Sequence, residues 1–248
     1  MSRWRASGTH LLICLAIAAA VVTLMLTVWY PRPLFEAAGG NDLLFILVGV
    51  DVVLGPLLTL IVFRSGKRGL KFDLAMIGAV QLAALLYGVH VVYLARPAFI
   101  VFVKDRFELA TAAELDPDEL AKAKYPQFRE PPITGPMLVA ADMPTDPAER
   151  NEVVQAALAG RDLQHFPRYY VPYAGRRQEI LAKALTVARM RALEPEIGEV
   201  IDAHLARSGI REDDVLTLLL RTRFAWIAVL IDPGTAEPRE MLLAQKIQ

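Results

Sequence analysis

Asp51 is the residue whose chemistry most needs an explanation, because its carboxylate interrupts the apolar run GVDVVLGPLLTLIVF, from Gly49 to Phe63. An ionised aspartate near the middle of a lipid-spanning helix costs roughly 2.5–3.5 kcal/mol on insertion scales. The carboxylate is therefore expected to face protein or water. It can act as a polar lock between helices, as a contact for a partner's transmembrane segment, or as part of a proton path. The apolar runs hold no second acid and no Lys or Arg, which disfavours transport.

The same run carries Gly55-Pro56. Proline has no backbone N–H, so it removes one hydrogen bond from a helix and usually bends it. We predict a kink at this point, with a moving hinge as the alternative.

The side chains able to reach Asp51 come from the next apolar run. Tyr87 is as far from the outer end of its run as Asp51 is from the end of its own, about eight residues or roughly 12 Å. His90 is about one turn shallower and Gln81 about a turn and a half deeper. A stripe of small residues at four-residue spacing precedes Tyr87, formed by Ala75, Ala79 and Ala83. We predict that this stripe packs on the second helix and that Asp51 is hydrogen-bonded to Tyr87 or His90.

Other chemistry is not indicated. The four histidines, His10, His90, His165 and His204, are far apart and have no metal-ligand spacing. The single cysteine, Cys14, excludes an intramolecular disulfide framework and lies in an apolar run, away from any histidine. The sequence has no nucleophile elbow and no phosphate loop. We therefore expect no enzyme activity, no metal and no cofactor, and the net charge of zero indicates no nucleic-acid partner.

Three apolar runs organise the first 96 residues. They predict transmembrane helices at about 11–29, 43–63 and 74–95, since about 20 apolar residues cross a bilayer. A cleaved signal peptide is the alternative for the first run, but the run continues past Ala18-Ala19-Ala20 to an interfacial Trp29-Tyr30. Basic residues, Arg3 and Arg5 and the group from Arg64 to Lys71, place the N-terminus in the cytoplasm and everything after Arg96 outside.

Residues 97–248 predict a separate α+β domain with a small antiparallel sheet. Phe99–Val103 and Arg106–Ala110 form a predicted hairpin, and strands are again expected near the C-terminus, at 215–220, 224–231 and 240–246. A Pro-rich loop is expected at 126–147, and helices at 148–159, 176–193 and 196–208. Three tyrosines interrupt this pattern and are interpreted either as an exposed contact patch for a protein partner or as a cover for the sheet: Tyr169, Tyr170 and Tyr173.

Taken together, several segments resemble the TfpX/TfpZ family of type IV pilin accessory proteins. They are Gly39-Gly40 through GVDVVLGPLLTLIVF, Lys71–Leu74, Gln81–Leu85, Tyr87-Gly88, Ala95–Pro97 and Asp105–Phe107. The likeness is dense over about 70 residues. It continues more weakly through Tyr170–Tyr173 and Leu230–Leu243, and the family's frequent Pro-Trp ending is replaced by Gln245-Lys246-Ile247-Gln248.

The resemblance implies a non-enzymatic helper in the inner membrane, with a periplasmic C-terminal domain, that acts as a pilin-specific chaperone in pilus biogenesis. Its implied partners are a major pilin, through the pilin's membrane helix and head domain, and membrane lipid. Candidate partner-binding residues follow from the residues above: Asp51, Gly55, Pro56, Gln81, Tyr87, Tyr169, Tyr170 and Tyr173. The main alternative is a membrane-anchored periplasmic sensor or ligand-binding protein, although the chain has little material for a cytoplasmic output domain.

Overall fold

The computed structural model describes residues 2–246, without the side chains of residues 42, 43, 46–48, 50, 245 and 246. The chain divides into two compact units. The N-terminal unit comprises Met1–Trp29 and Gly39–Ala95, and the C-terminal unit comprises Tyr30–Ala38 and Arg96–Gln248.

Helices make up the N-terminal unit. Helix α1 (Arg3–Leu24) begins at Ser2, whose hydroxyl accepts a hydrogen bond from the Arg5 N–H, and it continues as a π-helical turn (Met25–Trp29). Helix α3 (Gly40–Gly49) passes through a second π-helical turn (Val50–Leu54) into α4 (Gly55–Val62). Helix α5 (Leu70–Leu94) follows a turn that ends at Gly69, which has φ of 83°.

The prediction of three transmembrane helices is wrong. Among residues 2–246, two helices are long and apolar enough to cross a membrane, Arg3–Trp29 and Leu70–Leu94. The predicted span at 43–63 instead contributes a shorter apolar helix, Asp51–Val62. The helical register changes within this segment, because proline cannot donate the backbone hydrogen bond that a regular α-helix requires at residue 56.

An eight-stranded mixed sheet forms the centre of the C-terminal unit, so the prediction of a small antiparallel sheet is also wrong. The strands are β1 (Pro97–Val103), β2 (Arg106–Thr111), β3 (Met137–Ala141), β4 (Tyr170–Pro172), β5 (Leu185–Thr186), β6 (Leu216–Arg221), β7 (Ala225–Ile231) and β8 (Pro238–Lys246). Their order is β4-β3-β1-β2-β6-β7-β8, with β5 paired to β6. The pairs β1·β3 and β2·β6 are parallel.

The hairpins predicted from local sequence are confirmed, whereas β3 was missed. β1 and β2 pair antiparallel around Lys104, and β6, β7 and β8 form an antiparallel meander. β3 lies inside the segment predicted as a Pro-rich loop. It is only five residues long, and it pairs with β1, which is far away in the chain. Local sequence patterns do not predict such a long-range pairing.

Helices cover the sheet, and their ends follow capping rules. They are α6 (Pro117–Ala121), α7 (Pro147–Leu158), α8 (Arg177–Lys183), α9 (Val187–Leu193) and α10 (Pro195–Ser208). Asp146 caps α7 by accepting hydrogen bonds from the N–H groups of Ala148 and Glu149. The single helix predicted at 176–193 is divided, because Leu185 and Thr186 pair with β6 as β5.

The sheet is buried on both faces. One face carries Ile100, Phe102 and Phe107, and the opposite face carries Phe99 and Val101. All seven residues of β1 are buried. Such a strand reads as one continuous apolar run, which is typical of a strand covered on both sides.

The segment Tyr30–Ala38 belongs to this core, although it lies between two helices of the N-terminal unit in sequence. It contains the short helix α2 (Leu34–Ala37), and Leu34 and Ala37 are buried against the sheet. The Thr222 hydroxyl donates a hydrogen bond to the Ala37 carbonyl at 2.8 Å. The C-terminal unit is therefore assembled from two separate stretches of chain.

Candidate functional site

A groove in the N-terminal unit brings together several of the residues singled out from the sequence. Helix α1 contributes His10 and Cys14, the π-helical turn contributes Asp51, and α5 contributes Gln81. Its volume is about 190 Å³, and the rest of its lining is apolar or glycine: Ile13, Ile17, Ala18, Val21, Gly78, Leu82 and Leu85. We call it the Asp51 groove.

Gln81 connects the three walls of the Asp51 groove. Its amide Nε2 donates to the backbone carbonyl of Asp51 at 3.2 Å, and it lies 3.8 Å from the Cys14 sulfur. In the π-helical register, the carbonyl of residue 51 would accept from the N–H of residue 56, which is proline and has none. The Gln81 amide therefore supplies a donor to a carbonyl at the helix irregularity.

Gly55 allows this approach. A Cβ atom at position 55 would lie 1.9 Å from the Gln81 Nε2 and 2.5 Å from its Cδ. Because such distances are far below van der Waals contact, any larger residue would displace Gln81 from the Asp51 carbonyl. The glycine is thus explained by a close contact between helices.

Two acceptors in this groove accept no hydrogen bond from any residue that the structure describes. They are Oδ1 of Asp51 and Oε1 of Gln81, and both atoms are buried. Buried polar atoms are nearly always hydrogen-bonded in folded proteins. The groove therefore combines an apolar lining with two acceptors suited to a donor from a bound group.

Two further hydrogen bonds join α1 to α4 at one end of the groove. His10 Nδ1 lies 2.6 Å from the Thr59 hydroxyl, and the Ser7 hydroxyl donates to the Pro56 carbonyl at 2.8 Å. The carbonyl of Pro56 is thus engaged as well. These contacts hold the wall that carries Asp51 against α1.

Tyr87 and His90 do not contact Asp51 as predicted. Both are exposed, Tyr87 at 71%. At about 100° per residue, Tyr87 lies about 120° and His90 about 180° around α5 from Gln81, which is the residue that reaches Asp51. The predicted packing stripe is also exposed at Ala75, Ala79 and Ala83, since the inward face of α5 runs through Gln81 instead.

The three tyrosines of the C-terminal unit do not form an exposed patch. Tyr170 and Tyr173 are buried, and their hydroxyls donate to the carbonyls of Gln164 and Ala236. Burial raises the pKa of both phenols. Tyr169 is half-buried, with the Arg168 guanidinium 4.9 Å from its ring centroid. The alternative interpretation, a cover for the sheet, describes Tyr170 and Tyr173.

No three His, Cys, Asp or Glu side chains within residues 2–246 converge in a way that could hold a metal ion.

The fold and the groove together define a class of protein. It is an α+β protein whose apolar, helical N-terminal unit contains a groove between its helices.

Comparison with known proteins identifies the family. The chain is 34% identical over 230 residues to a fimbrial assembly protein, serogroup I, of Dichelobacter nodosus, covering 90% of this chain and 89% of that protein. The chain is 33% identical over 230 residues to the serogroup E1 protein of the same organism, again covering 90% of this chain and 89% of that protein. It is 40% identical over 120 residues to a third fimbrial assembly protein of this organism, that of serogroups C1 and C2, covering 47% of this chain and 91% of that protein.

Residues 1–39 also match the family model of fimbrial assembly protein FimB. No solved structure matches. The chain belongs to the family of fimbrial assembly proteins.

Proposed function

We propose that this protein is a non-catalytic accessory protein of the inner membrane that promotes the assembly and surface display of type IV fimbriae, as implied by its resemblance to the TfpX/TfpZ family. Membership in the family of fimbrial assembly proteins supports the general role. The Asp51 groove is the observation that supports a mechanism, since it combines an apolar lining with two buried acceptors.

In this mechanism the fimbrial subunit waits in the membrane through an apolar helix, and the Asp51 groove holds that helix as a chaperone would. Apolar side chains of the helix pack on Leu82 and Leu85. A hydroxyl, amide or ammonium group on the helix donates to Asp51 and Gln81. A buried acceptor that gains a donor stabilises a complex more in lipid than at a water-exposed surface, because no water competes for it.

The proposed topology is multi-pass, with the N-terminus in the cytoplasm and the C-terminal unit in the periplasm. Basic residues lie at the N-terminal ends of both candidate spans, Arg3 and Arg5 before one and Arg64 to Lys71 before the other. Both spans lead at their C-terminal ends into the C-terminal unit, so the chain between them, which includes the shorter apolar helix Asp51–Val62, has to return to the cytoplasmic side. Exposed apolar side chains on α1 and α5 would then contact lipid.

Photocrosslinking in a cell that assembles fimbriae tests this mechanism. A photoreactive residue replaces Leu85, which lines the groove, or the adjacent Leu86, which is 61% exposed and not in the groove lining. We expect a crosslink to the fimbrial subunit from position 85 and mainly lipid adducts from position 86. Equal subunit crosslinking from both positions, or none from either, would remove the groove from the mechanism.

A further inference from the structure

The C-terminal unit contains a second groove, larger than the Asp51 groove and separate from it. Its volume is about 610 Å³, and we call it the β8 groove. Leu34, Ile100, Leu138 and Met241 provide its apolar lining. Leu34 and Ile100 are core residues, so this part of the groove is held by the packed sheet.

Strand β8 forms one wall of this groove. Four consecutive residues, Pro238 to Met241, border the groove. Side chains alternate between the two faces of a regular strand, but the pairing of β8 with β7 shifts by one residue between Pro238 and Glu240, so the groove lies along the irregular start of β8. β8 pairs with β7 along one edge, and no strand in the described part of the chain pairs with the other.

An unpaired strand edge carries a row of backbone donors and acceptors that another strand can use. Proteins that bind extended peptides combine such an edge with pockets for alternate side chains. The β8 groove has both features. It also lies beside a strand of nine residues, long enough to form a ladder of several hydrogen bonds.

We propose that the β8 groove binds an extended segment of the fimbrial subunit, which adds a strand to the free edge of β8. The identity of the partner rests on the proposed function, whereas the mode of binding rests on the geometry of the groove.

The charges of the groove define the chemistry of the segment. Arg32 is exposed at its rim and forms no ion pair with a described residue. The other charged lining residues already have partners, since Arg239 pairs with Asp232 and a carboxylate oxygen of Glu240 lies 2.9 Å from His204 Nε2. A carboxylate of the bound segment therefore faces Arg32. Apolar side chains at alternate positions of the segment enter the space over Leu138 and Met241. The expected ligand is an extended stretch with alternating apolar residues and one acid.

Peptide binding to the purified full-length protein in detergent tests the proposal. Overlapping peptides about ten residues long, covering the fimbrial subunit, are screened by fluorescence polarisation. A peptide that binds is then remade twice, with one or the other set of alternate backbone amides N-methylated. We expect roughly tenfold weaker binding for the set whose N–H groups face β8 and little change for the other set, because only the first set loses hydrogen bonds to the strand. We also expect slower hydrogen exchange, when the unmodified peptide is bound, at every second amide of residues 240–243, those whose N–H faces away from β7.

Charge reversal gives a second measurement. Arg32→Glu should weaken binding about tenfold, and a peptide whose acid is replaced by lysine should recover it. Arg177→Glu is the matched control, because Arg177 is exposed and outside the groove lining. Unchanged binding with both methylated sets would overturn strand addition, and equal effects of the two arginine variants would overturn the assignment of the acid.

The remaining outcomes are also decisive. A disulfide-linked dimer of Met241→Cys, made in a Cys14→Ser background, would show that the edge of β8 pairs with a second copy and would overturn the proposal. If no subunit peptide binds while position 85 still crosslinks to the subunit, this inference fails and the proposed function stands.

Discussion

Each unit contains a carboxylate with a buried oxygen atom, and the two carboxylates have opposite surroundings. Glu108, 3% exposed in β2, accepts from Arg106 at 2.7 Å through Oε1 and from Arg221 at 2.9 Å through Oε2. In Asp51, by contrast, Oδ1 is buried and accepts nothing from a described residue. A saturated buried charge stabilises the fold, whereas an unsaturated one is suited to a ligand. Glu108 therefore has the surroundings of a structural group, and those of Asp51 agree with the binding role proposed for it.

Glu108→Gln should have the largest effect on stability. It removes the charge that two arginines share across the parallel pair β2·β6. We expect the free energy of unfolding to fall by about 3 kcal/mol, the lower end of the range for a broken buried pair, because both arginines are partly exposed. Thermal unfolding of the full chain in detergent measures this, with the exposed Glu130→Gln as control. A loss as small as the control's would contradict the structural role.

Gly55→Ala should have the second-largest effect on stability. Its Cβ would overlap the end of the flexible Gln81 side chain, which would turn away and leave the Asp51 carbonyl without this donor, at a cost of about 1 kcal/mol in the free energy of unfolding. Adding Gln81→Ala should cost little more in thermal unfolding, because the same hydrogen bond is already lost. Both variants should reduce surface fimbriae, since no Gln81 amide reaches the Asp51 carbonyl. Normal surface fimbriae in both would mean that Gln81 has no part in binding.

Asp51→Asn tests the comparison between the two carboxylates directly, because it replaces a carboxylate with the corresponding amide, as Glu108→Gln does. We expect a change in stability below about 1 kcal/mol, because no ion pair is broken. Surface fimbriae and subunit crosslinking from position 85 should nevertheless drop severely. Immunoblots of sheared fimbriae, normalised to the amount of the variant in membranes, measure this. Normal fimbriae with Asp51→Asn would make Asp51 a helix contact only.

The smallest effect is a pH dependence in the C-terminal unit. Burial lowers the pKa of His165, and Arg161 adds to this, while Glu114 and Asp162 oppose it. The unfolded imidazole therefore binds a proton first, below about pH 6.5, so stability is lost as the pH falls below that value. His165→Gln should flatten the dependence of the unfolding temperature between pH 7 and pH 5. An unchanged slope in His165→Gln would contradict this assignment.

Local patterns predicted some elements well. The β1–β2 hairpin, the C-terminal meander and the helices near 148–159 and 196–208 depend on turn residues, caps and periodicity within short windows. β3 was missed because its pairing with β1 is parallel and depends on residues 99–102, distant in the chain. α2 was missed because it is four residues long, although the apolar pair Leu34-Phe35 within a Pro-rich loop was a signal for burial.

The candidate site was partly predictable, because some of its residues stand out within one short stretch of sequence. An acid, a glycine and a proline in one apolar run are anomalies visible without a structure, and they led to Asp51, Gly55 and Pro56. The partner of Asp51 was predicted from depth in the membrane, which gave Tyr87 or His90. The rotation of α5 about its axis selects Gln81, and that rotation is set by packing.

The sequence by itself determined that an apolar helical part precedes an α+β part, and that Asp51 needs a protein or water environment. These conclusions follow from transfer free energies and from hydrogen-bonding needs that each residue carries wherever it lies. Only the tertiary structure decided which side chains meet Asp51, that Tyr30–Ala38 completes the C-terminal core, and that β8 leaves a free edge beside a groove. Those facts depend on contacts between residues distant in sequence, which packing selects and local preference does not encode.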